Sequence, residues 1–323
     1  MQMDGEESSN VEDRRGEGGG FGGGGFGGGG FGGGMGGGMG GGLPVPVGGG
    51  GGLFKGGMGL VAFVVIALVL GADPLALLGS VTGGGGYQQQ VPSSQASRTA
   101  PAQRPPAGDA ESGFVSRVLK STEDVWGDIF RDLGRQYRDP RLVLYRDATR
   151  TECGVGQSAM GPFYCPADQR VYLDLAFFDD LARRFHAPGQ FPQAYVIAHE
   201  VGHHVQNLLG ISDKVEQMKS RMSKRDANAL SVRLELQADC FAGVWANRAD
   251  AARGGRMIDD RDIEQALTAA SAIGDDRLQR QAQGRIVPDS FTHGSSAQRM
   301  RWFRKGLESG DPRQCDTFGA KQL

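Results

Sequence analysis

The chain has almost no net charge: 35 Lys and Arg stand against 37 Asp and Glu, leaving -2 at neutral pH. This balance argues against a nucleic-acid binder acting through its whole surface, which would be strongly basic. Cysteine is scarce, with four residues at 153, 165, 240 and 315 and no C-x-x-C pair. A zinc-thiolate knuckle is therefore not expected. Histidine is equally sparse, yet three of the five crowd into residues 199–204. Beyond about residue 110 there is no low-complexity stretch, so some 210 residues read as an ordinary globular sequence able to bury a substantial core.

Glycine is in excess, at 55 residues where average usage of about 7% would give roughly 23. No G-X-Y period accompanies it, which excludes collagen. The excess sits mainly in the N-terminal part, where Gly18 to Gly42 is glycine broken only by Phe21, Phe26, Phe31, Met35 and Met39. That composition reads as a flexible tether. Residues 1–17 are polar, charged and mostly acidic, so the whole of 1–55 is expected to be disordered.

After Lys55 comes GGMGLVAFVVIALVLGA, uncharged until Asp73, and Leu75 to Leu78 resume the apolar run. Residues 56–80 are long enough for a single transmembrane helix. A cleaved signal peptide fits poorly, because its charged region would be more than 50 residues long and acidic. Lys55, with Arg14 and Arg15 behind it, places the N-terminus in the cytoplasm and the C-terminal bulk outside. Residues 81–111, rich in Gly, Pro, Gln and Ser, read as a linker, and 112–323 as the functional domain.

Within that domain, Phe114, Val118, Val125, Trp126, Ile129, Phe130 and Leu133 recur at helical spacing, predicting a helix over about 112–137. Leu142–Tyr145 and Val171–Leu175 read as short strands, with Gly/Pro-rich turns between them. Helices are expected over about 191–209, 212–249, 260–273 and 296–308, three of them stopped by Gly210, Gly274 and Gly310. The fold class is α+β, helix-rich with a small sheet. In a domain outside the cytoplasm an even cysteine count suggests disulfides, with 153–165 and 240–315 the favoured pairing.

The segment Ala198-His199-Glu200-Val201-Gly202-His203-His204 carries the chemistry. On a helix, residues four apart lie about 40° apart around the axis, so His199 and His203 can reach one ion. Glu200, about 100° round from His199, can stand beside the ion without ligating it. This is the H-E-x-x-H zinc arrangement. It sits among Ala194, Ile197, Ala198, Val201 and Val205, where buried polar groups need a reason. A third ligand is required, and Leu234-Glu235-Leu236-Gln237-Ala238-Asp239 offers Glu235. Asp239, four residues on, can accept a hydrogen bond from the outer nitrogen of a ligand histidine. A solvated Glu235 beside Arg233 is the bland alternative. His186 reads as a surface residue, and His204 as pointing away from the ligand face.

These residues resemble the thermolysin-like zinc peptidases with a glutamate third ligand. More closely, the chain is similar to the bacterial membrane-anchored neutral zinc metallopeptidases. The likeness rests on the Gly-rich N-terminus, the anchor ending GADPL, Tyr164-Cys165-Pro166 to Asp174, AHEVGHHVQ, LELQADCFAG and PDSFTHGSSAQR. It implies a zincin-like domain, Zn2+ on His199, His203 and Glu235, and Glu200 as catalytic base. Thr292-His293-Gly294 with Arg299 resembles the Thr-His-Pro…Arg element of integral-membrane zinc peptidases, which implies that His293 donates to an oxyanion. Gly294 departs from that pattern, and a helix-capping His293 is the alternative. The expected partners are a peptide or protein substrate, which the strand Val171–Leu175 could pair as a sheet edge, and the membrane; no nucleic acid is expected. The reading is a zinc endopeptidase. Its rivals are a metal hydrolase of a non-protein amide and a scaffold that keeps a metal only for folding.

Overall fold

The computed structural model describes residues 1–17, 103–158 and 161–323. The expected tether, the transmembrane run 56–80 and most of the linker lie outside these residues. Among the described residues no helix is long and apolar enough to cross a membrane.

A four-stranded sheet is built from β1 (Val11–Asp13), β2 (Arg141–Tyr145), β6 (Arg170–Asp174) and β5 (Phe163–Cys165), in that spatial order. β1 and β6 both run parallel to β2, and β5 is antiparallel to β6. β3 (Ala148–Thr151) and β4 (Gly154–Gln157) make a separate hairpin. The two expected strands are thus β2 and β6, side by side in the register Leu142↔Val171. The turn material between them instead holds three more strands. Their sequences are too short and too Gly-rich to show alternation. β6 is not a sheet edge, as the sequence suggested: β2 flanks it on one side and β5 on the other.

The helices are α1 (Ala110–Asp132), α2 (Ala176–Arg183), α3 (Gln190–Leu208), α4 (Ile211–Lys219), α5 (Lys224–Ala252), α6 (Asp260–Ala272), α7 (Asp275–Gln283) and α8 (Ser296–Ser309). Gly134, Gly210 and Gly310 adopt left-handed φ of 67°, 71° and 58° just beyond α1, α3 and α8, a conformation that only glycine adopts without strain. α1 therefore stops before the expected residue 137. The expected helix 212–249 is broken in two. The Ser223 side chain accepts from the Asp226 amide and starts α5 afresh, and a new cap interrupts an apolar period without altering it.

Residues 1–17 are not disordered. β1 extends the sheet, with Leu142 N–H donating to Asn10 O at 3.0 Å and Arg14 N–H to Leu144 O at 2.8 Å. Met3 and Val11 join the same apolar core as α1, α3, α5 and α6. Buried Glu123 of α1 accepts from Ser8 Oγ at 2.6 Å and Asn10 Nδ2 at 2.9 Å. Polar composition misled the sequence reading because these side chains are satisfied by partners more than a hundred residues away. The disulfides are Cys153–Cys165, joining the β3–β4 turn to β5, and Cys240–Cys315, joining α5 to the C-terminal tail.

Candidate metal centre

α3 enters the core because Phe191, Ala194, Tyr195, Ile197, Ala198, Val201 and Val205 are all buried. α5 packs along it. At Gly202 a Cβ would come within 3.1 Å of the Ala238 backbone, so glycine lets the two helix axes approach closely there. That approach brings the H-E-x-x-H face of α3 against the Glu235 face of α5.

His199 Nε2 lies 3.2 Å from Glu235 Oε2, and His203 Nε2 lies 3.6 Å from Glu235 Oε1. One ligand atom from each of the three residues falls within 4.8 Å of the others. The two rings stand nearly perpendicular, at 89°. Each outer nitrogen meets an acceptor: His199 Nδ1 is 2.9 Å from Asp239 Oδ1, and His203 Nδ1 is 2.9 Å from Gln206 Oε1. An ionised carboxylate can only accept, so His199 carries its proton on Nδ1 and turns the Nε2 lone pair inward. Two imidazoles and a carboxylate, all converging, are a donor set that suits Zn2+.

Electrostatics agree. Burial alone would push the His199 pKa down, but Asp239 and Glu235 outweigh it and carry it up to about 10. Burial would also lower His203, yet Glu235 raises it. Burial would raise Glu235, and the two rings instead hold it well below the usual carboxylate range. Glu200 is 8% exposed, and burial lifts its pKa above the ordinary value against the pull of both histidines.

Behind His199 stands a buried cluster that the sequence showed only in part. Asp239 was expected to orient a ligand histidine, and it does. It also accepts from Tyr195 OH at 2.6 Å, Arg299 Nε at 2.9 Å and Arg299 Nη2 at 2.8 Å. Tyr195 was missed because a tyrosine on an apolar face reads as core. Gln206 was missed too, although its place three residues after His203 puts it on the same face of α3 and could have signalled it.

His293 lies close enough to Glu235 for each to shift the other's pKa. It is not the cap of α8: Ser295 is, in a reciprocal capping box with Gln298. Asp275 Oδ2 accepts from the amides of Thr292, His293 and Gly294 at 2.7, 2.6 and 3.1 Å, and Asp275 Oδ1 is 3.2 Å from His293 Nδ1. Gly294 has φ of 88°, which proline cannot adopt, so the departure from the Thr-His-Pro pattern follows from the backbone. Nothing in the sequence pointed to Asp275. His204 is held away from the centre between Tyr164 OH at 3.0 Å and Arg138 O at 2.6 Å, and burial pushes its pKa down to about 4. His186 is exposed.

Fold and centre together define a helix-borne two-histidine, one-glutamate metal site. The chain belongs to the family described as putative neutral zinc metallopeptidase, whose profile matches residues 1–318. Zn2+ is the ion that family membership and donor set imply. The uncharacterized protein YpfJ of Escherichia coli (strain K12) is 49% identical over 313 residues, 97% of this chain and 96% of that protein. The uncharacterized protein Rv2575 of Mycobacterium tuberculosis (strain ATCC 25618 / H37Rv) is 39% identical over 269 residues, 80% of this chain and 86% of that one. No solved structure matches.

Proposed function

We propose that the chain is a zinc endopeptidase that hydrolyses peptide bonds of a protein substrate outside the cytoplasm. The observation that carries this reading is the convergence of His199, His203 and Glu235 with Glu200 beside them. Burial and nearby charges, not hydrogen-bond partners, act on the Glu200 carboxylate among the described residues, which leaves it free for a proton. Bound Zn2+ would supply Lewis acidity, polarising a carbonyl and lowering the pKa of a water toward about 7. Glu200 takes the proton of the attacking water and delivers it to the leaving amine, work for which a pKa above the ordinary value is suited. His293, oriented by Asp275, donates to the oxyanion as charge develops on the carbonyl. The two disulfides support a location outside the cytoplasm.

The test uses the full chain, with zinc measured by elemental analysis and hydrolysis by casein cleavage beside cell-wall fragments. Glu200→Gln is expected to keep its zinc while hydrolysis falls about 10²–10⁴-fold, the usual contribution of a general base. Glu235→Ala is expected to lose the metal. A Glu200→Gln protein as active as wild type would remove the mechanism. Cleavage of cell-wall fragments alone would move the activity to a non-protein amide.

A further inference from the structure

The two ligand histidines are held from behind in chemically different ways. His199 leans on a carboxylate neutralised by arginine. His203 leans on a neutral amide, Gln206, which is fully buried. Gln206 Nε2 donates to Leu234 O at 2.7 Å and to Gln237 Oε1 at 3.1 Å. Gln237 Nε2 in turn donates to Cys315 O at 3.0 Å. Leu234 O and Cys315 O are backbone carbonyls and can only accept. Each therefore forces the amide before it to present its nitrogen, and the opposite end of that amide must be oxygen. Running back along the chain, Gln206 Oε1 faces His203 Nδ1 and admits only a donor there.

We infer that Gln206 and Gln237 form a one-way amide relay that sets the tautomer and direction of His203, with the carbonyls of Leu234 and Cys315 as fixed ends. Gln206 is the positioning residue and Gln237 its support. The Cys240–Cys315 disulfide holds the far end against α5, the helix that carries Glu235. Both ends of the relay thus lie on or against that helix. The ring of His203 cannot turn its Nδ1 toward the metal without leaving the Gln206 oxygen unmatched, which costs about 1–3 kcal/mol for a buried polar group.

The inference rests on the zinc reading, and the experiment separates the two. Zinc affinity of the full chain is measured by competition with a chromophoric chelator for wild type, Gln206→Met and Gln206→Glu. Both variants lose the donors to Leu234 and Gln237, but only Gln206→Glu keeps an acceptor for His203 Nδ1–H. Gln206→Met is expected to bind zinc about 10–100-fold more weakly, the usual effect of removing an outer partner of a ligand. Gln206→Glu is expected to stay within about threefold of wild type. Equal weakening of both would overturn the relay while leaving the zinc site standing; a wild-type chain that binds no zinc would remove the site itself. Should either variant fail to fold, nitrogen NMR of the histidine rings in the zinc-loaded wild type decides. A proton on His203 Nδ1 is expected, and a proton on Nε2 refutes the relay.

Discussion

Asp239 is wholly buried and, besides His199, is paired with Arg299, itself 3% exposed. Burial would push the Asp239 pKa up, and the guanidinium beside it holds it below the ordinary value instead. Removing Arg299 leaves the buried carboxylate without its guanidinium, held only by His199 and Tyr195, and breaking such a buried pair costs about 3–5 kcal/mol. Arg299→Met is therefore expected to lower unfolding free energy by about that amount in a denaturant titration. Zinc binding should weaken with it, because Asp239 would no longer be held against His199. At this scale the sequence was informative. Four-residue spacing declared His199 with His203, and Glu235 with Asp239, since both pairs sit on apolar helices where polar side chains stand out. Tyr195, Gln206 and Asp275 did not stand out. Their role depends on which helices meet, and a single sequence does not state that.

Between elements, the approach of α8 to α5 requires glycine on both sides: a Cβ at Gly306 would collide with the Cys240 carbonyl oxygen, and one at Gly243 with Phe303 O. This close crossing carries Arg299 to Asp239. The segment between α7 and α8 hangs on Asp275, and its order should follow pH. Burial would raise Asp275, but His293 and the amides of the segment hold it below 3.8. Its contribution is full above that ordinary value and is lost as pH falls through the lowered one. Burial would lower His293, but Asp275 raises it above 6.5. Its contribution is full below 6.5 and is lost as pH rises through the raised value. Hydrogen exchange at Thr292, His293 and Gly294 in the metal-free protein should thus be most protected, after correction for intrinsic rates, between about pH 4 and 6.5. Protection that stayed undiminished both well below about pH 4 and well above about 6.5 would show that the pair does not order the segment. Helix ends marked by glycine were legible here, as were β2 and β6. The break before Ser223 and the strands β3, β4 and β5 were not, because a cap or a three-residue strand leaves too little periodicity to read.

For the whole molecule, the N-terminal strand bears most on topology. Met3 and Val11 lie in one core with residues of the zinc domain, and β1 is bonded to β2. A chain that folds this way in the cell keeps both on the same side of a bilayer. The sequence reading, with the N-terminus in the cytoplasm and the zinc domain outside, would separate partners that the sheet joins. Compartment reporters fused before Met1 and after Leu323 of the full chain are expected to give the same answer. Opposite answers would mean that β1 does not pair with β2 in the cell.

Val11 finds its neighbour at Leu142, so the pairing spans most of the first half of the chain. At translation rates of about 5–20 residues per second, the N-terminal strand waits roughly 7–26 s before β2 has been synthesised. Closing so long an intervening loop adds an entropic barrier that short-range contacts never meet. The strand synthesised earlier is thus among the last to reach its place, and the sheet is complete only when β1 comes back to β2.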